Sequence, residues 1–158
     1  MTRALSVAFV VFLADQASKW FVLLHLNLAQ VYEIDVLPPY LNLRMAWNYG
    51  VNFGLLAADN PATRWALITV ALVICAGVLI WLRRAHLPPL PQFAAGLLIG
   101  GALGNVIDRI LYGAVADFLN MSCCGIRNPF SFNIADICVF AGAIGLAFFA
   151  DPHSKKAP

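Results

Sequence analysis

At 158 residues the chain has the length of one domain, yet 61% of it is hydrophobic and only 11% is charged. A water-soluble fold cannot hide that much apolar surface, so the bilayer is the solvent this composition calls for. A net charge of +2 without any basic run argues against a nucleic-acid surface.

Four segments reach the roughly 20-residue length at which a helix spans a bilayer: residues 4–26, 65–82, 93–112 and 132–150. Residues 1–17 alternatively read as a cleaved signal peptide. The apolar pattern resumes at Trp20, however, and the charge balance works with the segment retained. The first span carries Asp15 and Lys19 at i and i+4, in the acid-then-base order that favours an ion pair.

Residues 27–64 form the first outer loop. YLNLRMAW (40–47) alternates with period two after Pro38 and Pro39, which predicts a short strand and a small outer sheet. NYGVNFG (48–54) is turn chemistry, with Gly50 and Gly54 free to take positive φ. Asn60-Pro61 then marks the start of the second helix, an N-cap followed by proline at the first helical position.

The third span holds Gly96, Gly100 and Gly104 at four-residue spacing, a pattern that lets helices approach closely in lipid. It also carries Asn105, Asp108, Arg109 and Tyr112 on one face. Charged groups inside a span cost about 2.5–3.5 kcal/mol each on insertion scales, so by default they mark function or a buried pair. Adjacent Asp108 and Arg109 point in different directions, so each needs another partner. Arg109 suits a clamp for an anion or a carbonyl.

The second outer loop, 113–131, reads as irregular and contains Asp117. The fourth span opens with Asn133 and Asp136 on one face, which predicts Asp136 about 6 Å below the outer boundary. Asp117 and Asp136 are therefore predicted at similar depth on the same side. The tail from Asp151 reads as solvated.

Lys and Arg decide orientation. With the N-terminus inside, Arg3, Arg83, Arg84, Lys155 and Lys156 lie at the cytoplasmic ends, against Arg44, Arg64 and Arg127 in longer outer loops. Trp65 and Tyr112 then mark the outer interface and Trp81 the inner one. The reading is N-in, C-in.

Cys75, Cys123, Cys124 and Cys138 lack zinc-ligand spacing, and no histidine lies near them in sequence to activate a thiol. The adjacent pair Cys123–Cys124 is open to oxidation in an oxidising compartment. His25, His86 and His153 are scattered, and no metal site is read.

Two carboxyls held close together cannot both ionise easily, so the pair keeps one proton over a useful pH range. The charged member can take a proton from water while the neutral one protonates a carbonyl oxygen. Asn105, Asn133 and Arg109 would hold an extended peptide by hydrogen bonds. Intramembrane charges also build transport pathways or brace assembly subunits. The clustering of polar groups in the outer half, and a second span without ionisable residues from Ala66 to Leu82, speak against a continuous pathway.

Taken together, DQASK (15–19), NYGVNFG (48–54), GNVIDRILYGAVADF (104–118) and FNIAD (132–136) resemble, in order and spacing, bacterial lipoprotein signal peptidase (signal peptidase II). The resemblance covers nearly the whole chain. It implies an all-α integral membrane protein, one peptidase domain over 1–158, with four transmembrane helices and a small periplasmic β-cradle between helices 1 and 2. The implied activity is an aspartic endopeptidase of the bacterial inner membrane, with its site at the periplasmic side. It would act as a cofactor-free monomer among membrane lipids, cutting prolipoproteins just before a diacylglyceryl-modified cysteine.

The same resemblance makes Asp117 and Asp136 the catalytic dyad. Asn48, Gly50, Asn105, Arg109 and Asn133 take substrate-binding roles, and Asp15, Lys19 and Asp108 support the site. Asn52, Ile137 and the 121–129 stretch depart from the family pattern.

Overall fold

The computed structural model describes residues 1–50, 60–85, 87–123, 125 and 128–149. In chain order it contains α1 (Thr2–Trp20), prolonged by a π-helical turn at Phe21–His25, a single-turn α2 (Leu28–Val31), β1 (Glu33–Leu37) and β2 (Leu41–Asn48). Then follow α3 (Pro61–Ala85), α4 (Pro89–Tyr112), β3 (Val115–Asn120) and α5 (Ile134–Phe149). The segments Thr2–His25, Pro61–Ala85 and Pro89–Tyr112 are long and apolar enough to cross a membrane. α5 is also apolar but has 16 residues, about 24 Å of helix at 1.5 Å per residue.

Hydropathy alone starts the second and third spans at 65 and 93, four residues inside helices that begin at Pro61 and Pro89, whereas the Asn60-Pro61 signal puts the second helix start where it stands. Hydropathy marks where lipid contact begins, whereas the backbone turns helical where a capping group and a proline allow it. Asn60 Oδ1 accepts the Thr63 N–H at 2.7 Å, the cap the sequence predicts. At the fourth helix the shift is the other way: Asn133 serves as the cap, so α5 starts at Ile134 instead of 132.

α4 lies between α1 and α5, with α3 along its remaining side. The glycines explain how closely they pack. A Cβ on Gly96 would stand 2.7 Å from the Ala4 carbonyl oxygen, and one on Gly100 would stand 2.5 Å from that of Ala8. Gly101 is tight against the Ala135 carbonyl of α5, and Gly142 meets Ala94 of α4 in return. The helix core is made of small groups and a few larger ones: Ala4, Ala8, Cys75, Leu82, Ala95 and Ile99. Bulky side chains point outward, with Val73, Phe140 and Phe148 all exposed. That inversion suits a bundle solvated by lipid tails.

The strands form one antiparallel sheet in the order β1-β2-β3. Strand β2 matches the strand predicted at 40–47. The expectation of an irregular second outer loop is corrected, because residues 115–120 form β3, and the sheet therefore is not confined to the segment between the first two helices. The physical reason is burial: five of the six residues of β3 are buried, so no period-two alternation betrays it. β1 escapes notice for the opposite reason, being almost wholly exposed. Beneath the sheet a second core joins Val22, Leu23 and Leu28 to Met45, Ala116 and Phe118. The turn at 51–54 with Asn52 and Gly54, together with His86, Cys124, Arg127 and the tail from Asp151, lies outside the described residues.

Candidate active site

The site begins with the cap of α5. Asn133 Oδ1 accepts the Asp136 N–H at 2.8 Å, and Asp136 Oδ2 accepts the Asn133 N–H at 3.4 Å. This is a reciprocal cap of the kind formed by a short polar residue and an acid three positions on. It holds the Asp136 carboxyl over the first turn. The Asn133 amide nitrogen is then left to donate elsewhere, to Asp117 Oδ1 at 2.7 Å and to Asn105 Oδ1 at 3.2 Å.

Asp117 arrives from β3, directly opposite Ala46 of β2. Its second oxygen accepts from Asn48 Nδ2 at 3.1 Å. Asp136 Oδ1 accepts from Asn105 Nδ2 at 2.9 Å. The two carboxyls, nineteen positions apart in sequence (117 to 136), thus meet in one hydrogen-bonded cluster through Asn133. Asp117 is 2% exposed. Burial, helped by repulsion from the Asp136 carboxyl, pushes Asp117 up to about 8, against the opposing hydrogen bond from Asn48, the Lys19 charge and the hydrogen bond from Asn133.

Asn48 and Gly50 close the ring. The Gly50 N–H donates to Asn48 Oδ1 at 3.1 Å, and the Gly50 carbonyl accepts from Arg109 Nη2 at 2.7 Å. Arg109 Nη1 donates to the Asn105 carbonyl at 3.3 Å, while its Nε is buried and has no hydrogen-bond partner in the described structure. Arg109, Asn105 and Asp136 form the polar end of a cleft of about 420 Å³ between α3, α4 and α5. Leu67, Ile74, Leu98 and Val139 line its apolar length.

The predicted Asp15–Lys19 pair is present at 2.8 Å, and Asp108 joins it at 2.7 Å from the same ammonium. Asp108 and Arg109 take separate partners, as their directions on the helix require. Along this face the partners differ: Asp108 meets Lys19 of α1, Arg109 lines the cleft, and Tyr112 meets the Trp47 ring with centroids 5.6 Å apart. Lys19 also donates to Asn105 Oδ1 at 3.3 Å, which orients that amide toward Asp136. The sequence alone does not single out Gln16. It contacts both Asp15 and Asp108, and its place in DQASK beside two singled-out residues is the only signal the sequence offers. Among the described residues no group of three or more His, Cys, Asp or Glu side chains is arranged to hold a metal ion.

Chemically the arrangement offers two neighbouring carboxyls, amide donors around both, a guanidinium, and an apolar cleft leading to them. The profile of the family described as signal peptidase (SPase) II matches residues 7–150. Three proteins called lipoprotein signal peptidase are similar over most of their length. That of Methylorubrum extorquens (strain PA1) is 38% identical, over 91% of this chain and 82% of its own. That of Symbiobacterium thermophilum is 40% identical, over 90% and 89%, and that of Photorhabdus laumondii is 38% identical, over 97% and 91%. A bacterial membrane enzyme solved by the in meso method at 2.3 Å superposes with a TM-score of 0.80 at 27% identity, covering 100% of this chain and 94% of the other. A second, at 1.9 Å and 24% identity, shares the fold with a TM-score of 0.77 over 98% and 96%.

Proposed function

The chain belongs to the signal peptidase (SPase) II family, peptidases of lipoprotein precursors, and from that premise we propose how this one cuts. Asp117 and Asp136 activate water against the peptide bond just before a diacylglyceryl-modified cysteine. The observation that carries this reading is the Asn133 amide, which hydrogen-bonds Asp117 while its backbone caps with Asp136, at the polar end of an apolar cleft.

Asp117 holds the proton, consistent with its raised pKa. Asp136 is the carboxylate: it sits in the first turn of α5, where the helix dipole favours negative charge. Asp136 takes a proton from water as the water oxygen attacks the carbonyl carbon, and Asp117 gives its proton to the carbonyl oxygen. The resulting diol collapses as Asp136 returns the proton to the cysteine nitrogen, the C–N bond breaks, and a diol hydroxyl reprotonates Asp117. No covalent enzyme intermediate forms. Asn105, Asn133 and Arg109 hold the backbone on either side, and Arg109 releases the Gly50 carbonyl to take one from the substrate.

The signal helix occupies the apolar cleft, so the bond is presented at the outer boundary. In this reading the single domain, 1–158, lies in the bacterial inner membrane as a monomer, crossing four times with both ends inside. Arg3, Arg83 and Arg84 at one end, and the exposed rings of Trp65 and Tyr112 at the other, support this orientation. Prolipoproteins and membrane lipids are its partners.

The test is cleavage of a purified lipid-modified precursor by wild type, Asp117→Asn and Asp136→Asn. Each variant is expected to fold and to lose about 10²–10⁴-fold in kcat, the contribution of a positioned acid or base. A folded variant cutting at near wild-type rate would remove its aspartate from the dyad.

A further inference from the structure

Asp15 and Asp108 are both fully buried, and all four of their carboxylate oxygens are engaged. Asp15 Oδ1 accepts the backbone N–H of Ala135 at 2.9 Å, and Asp108 Oδ2 accepts that of Ala116 at 3.1 Å. Ala135 and Ala116 immediately precede Asp136 and Asp117. Each buried carboxylate therefore grips the chain one residue upstream of one carboxyl of the dyad.

Two side chains of α1 join the grips. Lys19 Nζ lies 2.8 Å from Asp15 Oδ2 and 2.7 Å from Asp108 Oδ2. Gln16 Nε2 donates to Asp15 Oδ2 at 3.2 Å, to Asp108 Oδ1 at 3.1 Å and to the Gly104 carbonyl at 3.3 Å. The Gln16 amide adds N–H donors to the single ammonium that these two carboxyls share, in a buried setting where charge-assisted N–H donors are worth most. The amide nitrogen of Gln16 faces acceptors only, which settles its orientation.

Resting on the assignment of Asp117 and Asp136 as the dyad, we infer that Gln16 is a positioning residue of the reaction: with Lys19 it yokes the Asp15 and Asp108 grips and so sets the spacing of the two catalytic carboxyls. Lys19 alone does not suffice, because an ammonium is a point charge with rotatable donors, whereas a planar carboxamide bonds in set directions. Gln16 makes no hydrogen bond to Asp117, Asp136 or Arg109, so its influence passes through the backbone of β3 and the first turn of α5. The repulsion that lets the pair share one proton depends on their separation. Slack in the yoke lets the carboxyls drift apart and weakens the hold on that proton.

The charged groups around Asp117 are Asp136 from α5, Lys19 from α1 and Arg109 from α4, with the neutral Asn48 amide from β2. Of these, Gln16→Met leaves every charge in place and removes only the yoke. The experiment compares wild type, Gln16→Met, Gln16→Asn and Asp117→Asn in cleavage of a lipid-modified precursor across pH, with thermal melts on the same samples. Gln16→Met is expected to lose about 10- to 100-fold in kcat, with KM unchanged because the cleft is untouched. The alkaline fall of its activity is expected at lower pH than in wild type. A merely structural role would lower the folded fraction and leave that midpoint alone. Gln16→Asn, one methylene too short to span both carboxylates, is expected to behave likewise.

Wild-type kcat in a folded Gln16 variant, or a loss confined to KM, overturns the inference while an inactive Asp117→Asn leaves the dyad standing. An active Asp117→Asn overturns the dyad and the yoke with it. Failure of both Gln16 variants to fold also overturns it, since Gln16 would then serve the fold and not the placement.

Discussion

Asp117 shows how one residue acquires its chemistry from its surroundings. An exposed aspartate ionises near 4; buried beside Asp136, this one is pushed up to about 8. The folded chain therefore binds more protons than the unfolded chain between those values, so this group's contribution to stability declines as pH rises. In the proposed mechanism activity follows the same proton. Cleavage is expected to fall as pH rises through about 8 and Asp117 loses its proton. A pH–kcat profile without an alkaline limb would show that another group is the acid. Asp117 and Asp136 were both legible in the sequence as outer-boundary carboxyls. The raised pKa of Asp117 was not, because burial and neighbouring charge exist only after folding.

At the scale of elements, the start of α5 combines two tasks in one side chain. Asn133 caps the helix through Oδ1 and reaches Asp117 through Nδ2. Substitution separates them. Asn133→Ser keeps a capping oxygen but lacks the amide donor, and Asn133→Ala lacks both. Serine is expected to keep stability near wild type and alanine to cost about 1 kcal/mol, read as a lower melting temperature. Both are expected to lose about threefold to tenfold in kcat, since a hydrogen bond to a neutral group is worth about 0.5–1.5 kcal/mol. Full activity in Asn133→Ser would mean that the bridge to Asp117 is idle. The motif FNIAD marks the acid but not the cap, and the bridge depends on β3, where the sequence predicts an irregular loop. That strand is invisible to alternation because it is buried along nearly its whole length.

Across the whole molecule, small residues and charges divide the work. Glycines let α1, α4 and α5 approach until backbone meets backbone, and the buried charges then fall within reach of one another. Gly104 shows the link: a Cβ there would stand 2.5 Å from Asp15 Oδ2. The proposed orientation is open to a direct check. In a cysteine-less background, Cys123 restored alone is expected to react with a membrane-impermeant maleimide on intact spheroplasts. Arg84→Cys is expected to react only after lysis. The reverse pattern would turn the protein over and put the dyad on the cytoplasmic side.

The sequence by itself determined the apolar character of the helices, one strand and most of the polar residues that meet in the cluster, because each of these is written in local composition and spacing. Hydropathy needs only neighbours along the chain, and so does the i, i+4 pairing of Asp15 with Lys19. Tertiary structure decided what depends on separation in space. It brought Asp108 to the Lys19 ammonium, set Arg109 against Gly50, placed β3 beside β2, and made Gln16 span two carboxylates. The energies of charges and hydrogen bonds depend on distances of a few ångströms between groups up to 120 residues apart, as between Asp15 and Ala135. No periodicity along the chain records those distances, and only the packed helices supply them.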